Sequence, residues 1–226
     1  MEKQALTVAA LYDLTHTLAA PLLERIVYPW EALDGISALI RQLGATLSPE
    51  EYTHPAPTVW IHRTAHVFES AYIGENVIIG ADTEVRHGAF IRGNALVGCG
   101  AVVGNSTELK NVILFDGVQV PHYNYVGDSI LGYKAHMGAG SITSNVKSDK
   151  QPVVIRIGEE RLVTGRKKIG AMLGDRVEVG CGSVLTPGTV IGADARVYPL
   201  SSVRGVVPAR SIYKRQGEIA AIRDGE

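Results

Sequence analysis

A six-residue beat runs through this chain. Stepping from Ile61 gives Val67, Ile73, Ile79, Val85, Ile91, Val97, Val103 and Leu109, all large aliphatics. If one residue in three were aliphatic, such a run would arise by chance roughly once in 20,000 trials. The residue four past each beat is small or β-branched: Ala65, Ala71, Val77, Thr83, Ala89, Ala95, Ala101, Thr107. Glycine often follows the beat directly, as at Gly74, Gly80, Gly98 and Gly104. The beat resumes at Leu173, Val179, Leu185, Ile191, Val197 and Val203. A period of six matches neither the 3.6 of a helix nor the 2 of a strand. It predicts short straight segments joined by regular corners, with aliphatics pointing into a narrow core and glycine easing the turn. Three segments close a triangular coil of about 18 residues, and coils stack at about 4.8 Å, the spacing of paired strands. The expected fold is mainly β, a parallel β-helix spanning residues 54–211. A β-sandwich does not hold period six over such a length.

The first 53 residues read differently. ALTVAALYDLTHTLAA and PWEALDGISALIRQL carry helical apolar spacing, broken at Pro21 and Pro29. They predict a small helical cap over the open N-terminal end of the solenoid, where a terminal coil exposes unpaired backbone. HPAPT, residues 54–58, reads as the entry linker, and the tail 212–226 as a short helix. Formal net charge is -1, which gives no reason to expect nucleic acid or an anionic membrane as a partner. No run is long enough to span a membrane, and MEKQALTV lacks the basic and apolar regions of a signal peptide. Cys99 and Cys181 lie far apart, with neither metal nor disulfide spacing. These features predict a cytoplasmic protein.

Departures from the repeat are informative because the fold does not require them. The slot after the beat, where glycine is expected, holds Arg86, Arg92, Lys110, Asp116 and His122. Uniform coils place Arg92 directly beneath Lys110. Two cations about 4.8 Å apart repel unless an anion lies between them. A phosphate site satisfies that; two solvated surface cations satisfy it too. His122 falls one corner earlier, over Gly104, and Tyr125 on the flat between the two corners. His122, Tyr125, Lys110 and Arg92 are therefore expected to border one face. An imidazole there is a general base near neutral pH or a plain surface residue. The beat also slips, with a five-residue step from Val126 to Leu131.

The stretch PHYNYVGDSILGYKAHMGAGSITSN, residues 121–145, with ELK ahead of it, carries a family pattern. It resembles the hexapeptide-repeat acetyltransferase domain of the bifunctional N-acetylglucosamine-1-phosphate uridyltransferase/glucosamine-1-phosphate acetyltransferase family. The matching positions are His122, Tyr125, Gly127 and Asp128, then Gly138-Ala139-Gly140-Ser141-Ile142-Thr143 and Asn145. The resemblance implies a left-handed parallel β-helix. It implies acetyl transfer from acetyl-CoA, a co-substrate, to an amino-sugar phosphate such as glucosamine-1-phosphate, with no metal required. His122 matches the general base, with Glu108 as a close partner. Arg92 and Lys110 match phosphate ligands, Tyr125 and Asn145 sugar contacts, and Lys168 a lysine that reaches the sugar phosphate. Ala139 matches a backbone amide beside the acetyl group. Gly180, Cys181 and Lys214, the last at a helix end, match the coenzyme A site. A homotrimer with sites shared between subunits is implied.

Several positions depart from that family. His136 stands where it has asparagine, which makes it a candidate substrate contact, and Val146 stands where it has tyrosine. Residues 146–168 form a longer excursion, in which VVIRI and RLV flank GEE and predict a β-hairpin. The helical segment stands where the family carries its uridyltransferase domain. Two other classes remain. A γ-type carbonic anhydrase on this fold needs three histidines around zinc, whereas His62, His66 and His87 lack that arrangement and position 117 is Gly117. A non-catalytic trimeric scaffold would serve a separate sugar nucleotidyltransferase.

Overall fold

The structure is a computed structural model and describes residues 2–222. The beat residues stack in three columns. Ile61 pairs with Ile79 and Ile79 with Val97; Val67 pairs with Val85; Ile73 pairs with Ile91, all in parallel. Ile79, Val85, Ile91, Val97, Val103 and Leu109 are fully buried along the axis. The strands form one sheet of twelve, which wraps two faces of the coil, and one of nine, which forms the third. The chain is mainly β, a parallel β-helix as the repeat predicts, consistent with the left-handed coil that the resemblance implies. Corners pass through the left-handed backbone region, at Asn76, Asn94, Asn111 and Asp128 along one edge. Asparagine and aspartate tolerate that conformation better than other residues with a Cβ.

The coils are not uniform. Val97 pairs with Leu114 and Leu114 with Leu131, so two successive coils are one residue short. The beat therefore slips first between Leu109 and Leu114, earlier than the Val126–Leu131 step. At that edge Ile91-Arg92-Gly93-Asn94 shortens to Leu109-Lys110-Asn111. Gly93 pairs with Lys110, and Lys110 with Gly127, with the register shifting between Ile91 and Gly93. Arg92 is the extra residue and does not lie beneath Lys110, contrary to the expected stacking. The same shortening puts His122 opposite Asn105, not Gly104.

One face of the coil is apolar outside as well as inside. Its outward column, Ile78, Leu96, Ile113, Ile130, Met172 and Val190, is at most 1% exposed. Burying each such side chain contributes about 1.5–3 kcal/mol. The cover is the N-terminal segment. Helix Ile36–Gly44 and the 3-10 turn Pro29–Asp34 pack across strands Tyr72–Ile79, Phe90–Val97, Glu108–Leu114 and Tyr125–Leu131. The helix turns Ile36, Leu39, Ile40 and Gly44 inward. A Cβ on Gly44 would lie 2.4 Å from the Trp60 ring, so glycine lets that indole pack on the helix backbone. The segment reaches the later coils as well: Asp13 N–H donates to Asp175 Oδ2 at 2.8 Å, and the His16 ring stacks on Tyr133 at 3.6 Å.

The N-terminal helices thus line a side of the solenoid and do not cap its open end. A long apolar column demands cover along its length, which an end cap cannot supply. Strand Tyr52–Ala56 pairs antiparallel with Val59–His62 on the first coil, so the expected linker is largely strand. The 146–168 excursion does form a hairpin, Val154–Ile157 with Glu160–Val163, turning at Gly158. It buries Val153, Ile155 and Ile157, and Val153 packs against Gly188. The tail is also corrected: Ser211–Arg215 and Glu218–Ala221 form an antiparallel hairpin, not a helix. Tyr213 extends the column of Val197, which ties the tail to the sheet; residues 223–226 lie outside the described residues. Among the described residues no helix is long and apolar enough to cross a membrane.

Candidate active site

One outward face runs between two functional corners. The first corner stacks Asn105, His122, Ala139 and Cys181 in one column: Tyr123 N–H donates to Asn105 O, Gly140 N–H to His122 O, and Gly182 N–H to Ala139 O. Buried Asn124 pins this corner. Its side chain accepts from His122 N–H at 3.1 Å and donates to Gly138 O at 2.9 Å and Ser141 O at 3.0 Å. The His122 side chain is exposed, and its ring makes no hydrogen bond among the described residues. Gly104, opposite the preceding Pro121, is required: a Cβ there would sit 1.6 Å from Pro121 O. Beyond His122 the column is narrow, with Ala139, Gly140, Cys181 and Gly182 exposed. A Cβ added at Gly140 would meet nothing within 4 Å, so a thin ligand has backbone access along this edge. Gly180 precedes Cys181 on that corner, and Lys214 follows Tyr213 in the strand stacked two coils on, where a helix end was expected.

The flat of the face carries Tyr125 opposite Glu108. Arg92 Nη1 donates to Glu108 Oε1 at 2.9 Å, and that carboxylate holds the guanidinium's pKa above its usual value. Tyr125 Oη accepts from Asn145 Nδ2 at 3.2 Å. Burial, then the charges of Asp128 and Glu108, push its hydroxyl pKa up, so the phenol stays protonated.

The second corner gathers around Asp128, whose side chain is 4% exposed. It accepts from Lys110 Nζ at 2.8 and 3.0 Å, from Asn111 Nδ2 at 3.0 Å and from Asn145 Nδ2 at 2.6 Å. Four donor contacts compensate a buried carboxylate well. The anions beside Arg92 and Lys110 are thus the protein's own, Glu108 and Asp128, and the two cations do not face each other across a gap. Lys110 also lines a cleft of about 320 Å³ with Asn111, Asp128, Asp34, Arg166 and Lys168. Arg166 is bidentate on Asp34: Nη2 donates to Oδ1 at 2.7 Å, and Nη1 donates to Oδ2. The guanidinium holds the Asp34 carboxyl below the usual carboxylate range. Arg166 Nε is buried without an acceptor among the described residues. The Lys168 ammonium has no carboxylate partner among them.

The structure therefore brings Lys110, Asn145, Lys168 and Tyr125 to one edge, and His122 with Ala139, Gly180 and Cys181 to the other. His136 is not among them. It lies on the adjoining nine-stranded face, where its Nδ1 meets Glu178 Oε2 at 2.7 Å. Asp34 and Arg166 were missed in the sequence, and Asp128 was matched to the family pattern without a role. The signal for Asp128 was the corner series Asn76, Asn94, Asn111, which changes to a carboxylate at 128. Among the described residues no group of three or more His, Cys, Asp or Glu side chains could hold a metal ion; His62 pairs with Thr64 and His87 with Ser70.

Comparison with known proteins fits this arrangement. The GMPPB C-terminal domain family matches residues 82–218, more than half of the chain. This chain belongs to the GMPPB C-terminal domain family. The segment it shares with that family holds both functional corners; Asp34 and the N-terminal cover lie outside it. Among curated relatives, a bifunctional sugar-1-phosphate nucleotidylyltransferase/acetyltransferase of Sulfurisphaera tokodaii is 38% identical over 96 residues, 42% of this chain and 24% of that protein. The bifunctional protein GlmU of Methanococcus aeolicus is 35% identical over 114 residues, 50% of this chain and 28% of that protein. The chain spans about a quarter of the length of these relatives. A solved hexapeptide transferase family protein from Anaplasma phagocytophilum superposes with a TM-score of 0.40 at 15% identity, covering 74% of this chain and 80% of that one.

Proposed function

We propose that this protein is an acetyl-CoA-dependent N-acetyltransferase acting on an amino-sugar phosphate, with His122 as general base. The observation that carries the reading is the pairing of two corners across one face: an unengaged imidazole at one, and a polar cleft with Lys110 and Lys168 at the other. The cleft takes the sugar phosphate, with Lys168 supplying positive charge that no carboxylate meets among the described residues. Tyr125 and Asn145 contact the sugar. His122 removes the proton as the amine nitrogen attacks the thioester carbonyl. The N–C bond forms, the C–S bond breaks, and the thiolate takes up a proton to leave as free thiol. The Ala139 amide lies at the rung above His122, placed to donate to the transient oxyanion. Coenzyme A runs along the small-residue edge past Gly180, Cys181 and Lys214. Glu108 keeps Arg92 over the face. The assembly is a homotrimer in the cytoplasm, with each edge completed by a neighbouring copy.

A second reading has one observation in its favour. Both Arg92 and Lys110 already carry carboxylate partners, as they would in a non-catalytic scaffold for a separate nucleotidyltransferase. Thiol release decides between them. The purified chain is mixed with acetyl-CoA and a panel of amino-sugar phosphates, glucosamine-1-phosphate first. Release that is abolished in His122→Ala supports the transferase. No release with any acceptor supports the scaffold.

A further inference from the structure

The excursion ends where the cleft begins. Its base is closed by a bridge between Val146 and Lys168, and Ile169 N–H donates to Asn145 O at 3.1 Å. The base of its hairpin packs on the coil, with Val153 against Gly188. The stretch from Thr164 to Lys168 joins the hairpin to the coil, and its backbone is tied at Thr164 and Arg166 to Val153 and at Lys168 to Val146. Among the described residues two side-chain pairs tie the excursion to the N-terminal cover, Lys3 with Glu160 at 2.6 Å on the hairpin and Arg166 forked onto Asp34 beside Lys168. A guanidinium–carboxylate fork sets orientation as well as distance. The charges in the cleft sharpen the point. Lys110 is met by Asp128 and Arg166 by Asp34, while Lys168 is unmet among the described residues. Three cations against two carboxylates leave one positive charge over. Removing Asp34 would leave the Arg166 and Lys168 cations side by side without the carboxylate between them, and their repulsion would turn the Lys168 side chain away from the cleft.

We propose that the Asp34–Arg166 pair is the positioning element of this cleft, holding Lys168 where it meets the phosphate monoester of the acceptor. This rests on the acceptor class proposed above. It makes the N-terminal segment, which lies outside the family's shared region, part of the binding site as well as a cover for the coil. Asp34 acts through Lys168 and touches no reacting atom.

The test is calorimetric binding of glucosamine-1-phosphate to the full chain. Asp34→Asn weakens binding about tenfold, and Asp34→Glu restores most of it. With acetyl-CoA present, Asp34→Asn raises the acceptor KM by a similar factor while kcat and the acetyl-CoA KM hold. In a Lys168→Met background, Asp34→Asn weakens binding no further, because the two act as one unit. The proposal is overturned if Asp34→Asn binds as the parent does, if the two losses are independent, or if the parent does not bind the sugar phosphate. A purely structural role for Asp34 leaves the losses independent. Thiol release reads the acetyl-transfer proposal separately. Coupled binding without thiol leaves this pair standing and removes the activity; turnover without coupling removes the pair and leaves the activity.

Discussion

Asp128 holds the Lys110 ammonium on both of its carboxylate oxygens, at 2.8 and 3.0 Å, from a backbone in the left-handed region at φ 49. Lys110 and Asn111 of strand Glu108–Leu114 and Asn145 beyond strand Ile142–Thr143 converge on that one side chain, so it ties the second corner to the coils on either side. Removing it strands a partly buried ammonium and two amides. Asp128→Ala should cost about 3 kcal/mol, lowering Tm by roughly 6–12 °C in a chain of this size. Asp128→Asn keeps a residue suited to the backbone and should cost less. Thermal unfolding of the two variants checks the order.

His122 has no such structural duty, since its ring is exposed and makes no hydrogen bond among the described residues. His122→Ala should leave Tm within about 1 °C and lower the rate of thiol release by ~10²–10⁴. An unchanged rate would take the imidazole out of the mechanism.

Gly104 is where the coil beneath His122 comes closest, with a Cβ overlapping the Pro121 carbonyl. The obstacle is backbone, which cannot rotate away. Gly104→Ala should therefore destabilise by about 2–3 kcal/mol and depress thiol release with the corner. Gly140→Ala meets no neighbour, though its φ of 69 adds about 1 kcal/mol of strain. Comparing the two by unfolding separates collision from strain.

Outward positions of the coil differ by face. Leu96 is 1% exposed beneath the N-terminal helix, whereas Gln119 is exposed on the nine-stranded face. Leu96→Ala should cost about 2–4 kcal/mol and Gln119→Ala less than about 0.5 kcal/mol. Equal small costs would mean the segment does not cover that face.

The Asp34 carboxyl titrates below its ordinary value because Arg166 donates to it. A depressed pKa contributes stability that is present above the unfolded value of about 3.9 and lost as pH falls through the folded one. The carboxylate is 83% exposed, so solvent screening keeps the effect under about 1 kcal/mol. The Tm difference between the parent and Asp34→Asn should be steady above about pH 5 and shrink as pH falls through the folded value. A difference that grows in acid would contradict the pairing.

Read as a string, the chain determined its own coil. A six-residue beat of aliphatics from Ile61 to Leu109 has one packing solution, and the hairpin in 146–168 was legible from VVIRI, GEE and RLV. The position of His122 on a corner followed from counting alone. What counting could not settle was register. One residue lost between Leu109 and Leu114 moves every later position relative to the coil below, so Arg92 and Lys110 part company and His122 comes to rest on Asn105. Which face is covered was written in the outward column Ile78, Leu96, Ile113 and Ile130, yet only packing showed that residues far upstream cover it. The charge partners were the least legible of all. Asp34 with Arg166 and Asp128 with Lys110 are pairings between distant parts of the chain, and Coulomb attraction depends on separation in space, which the fold decides.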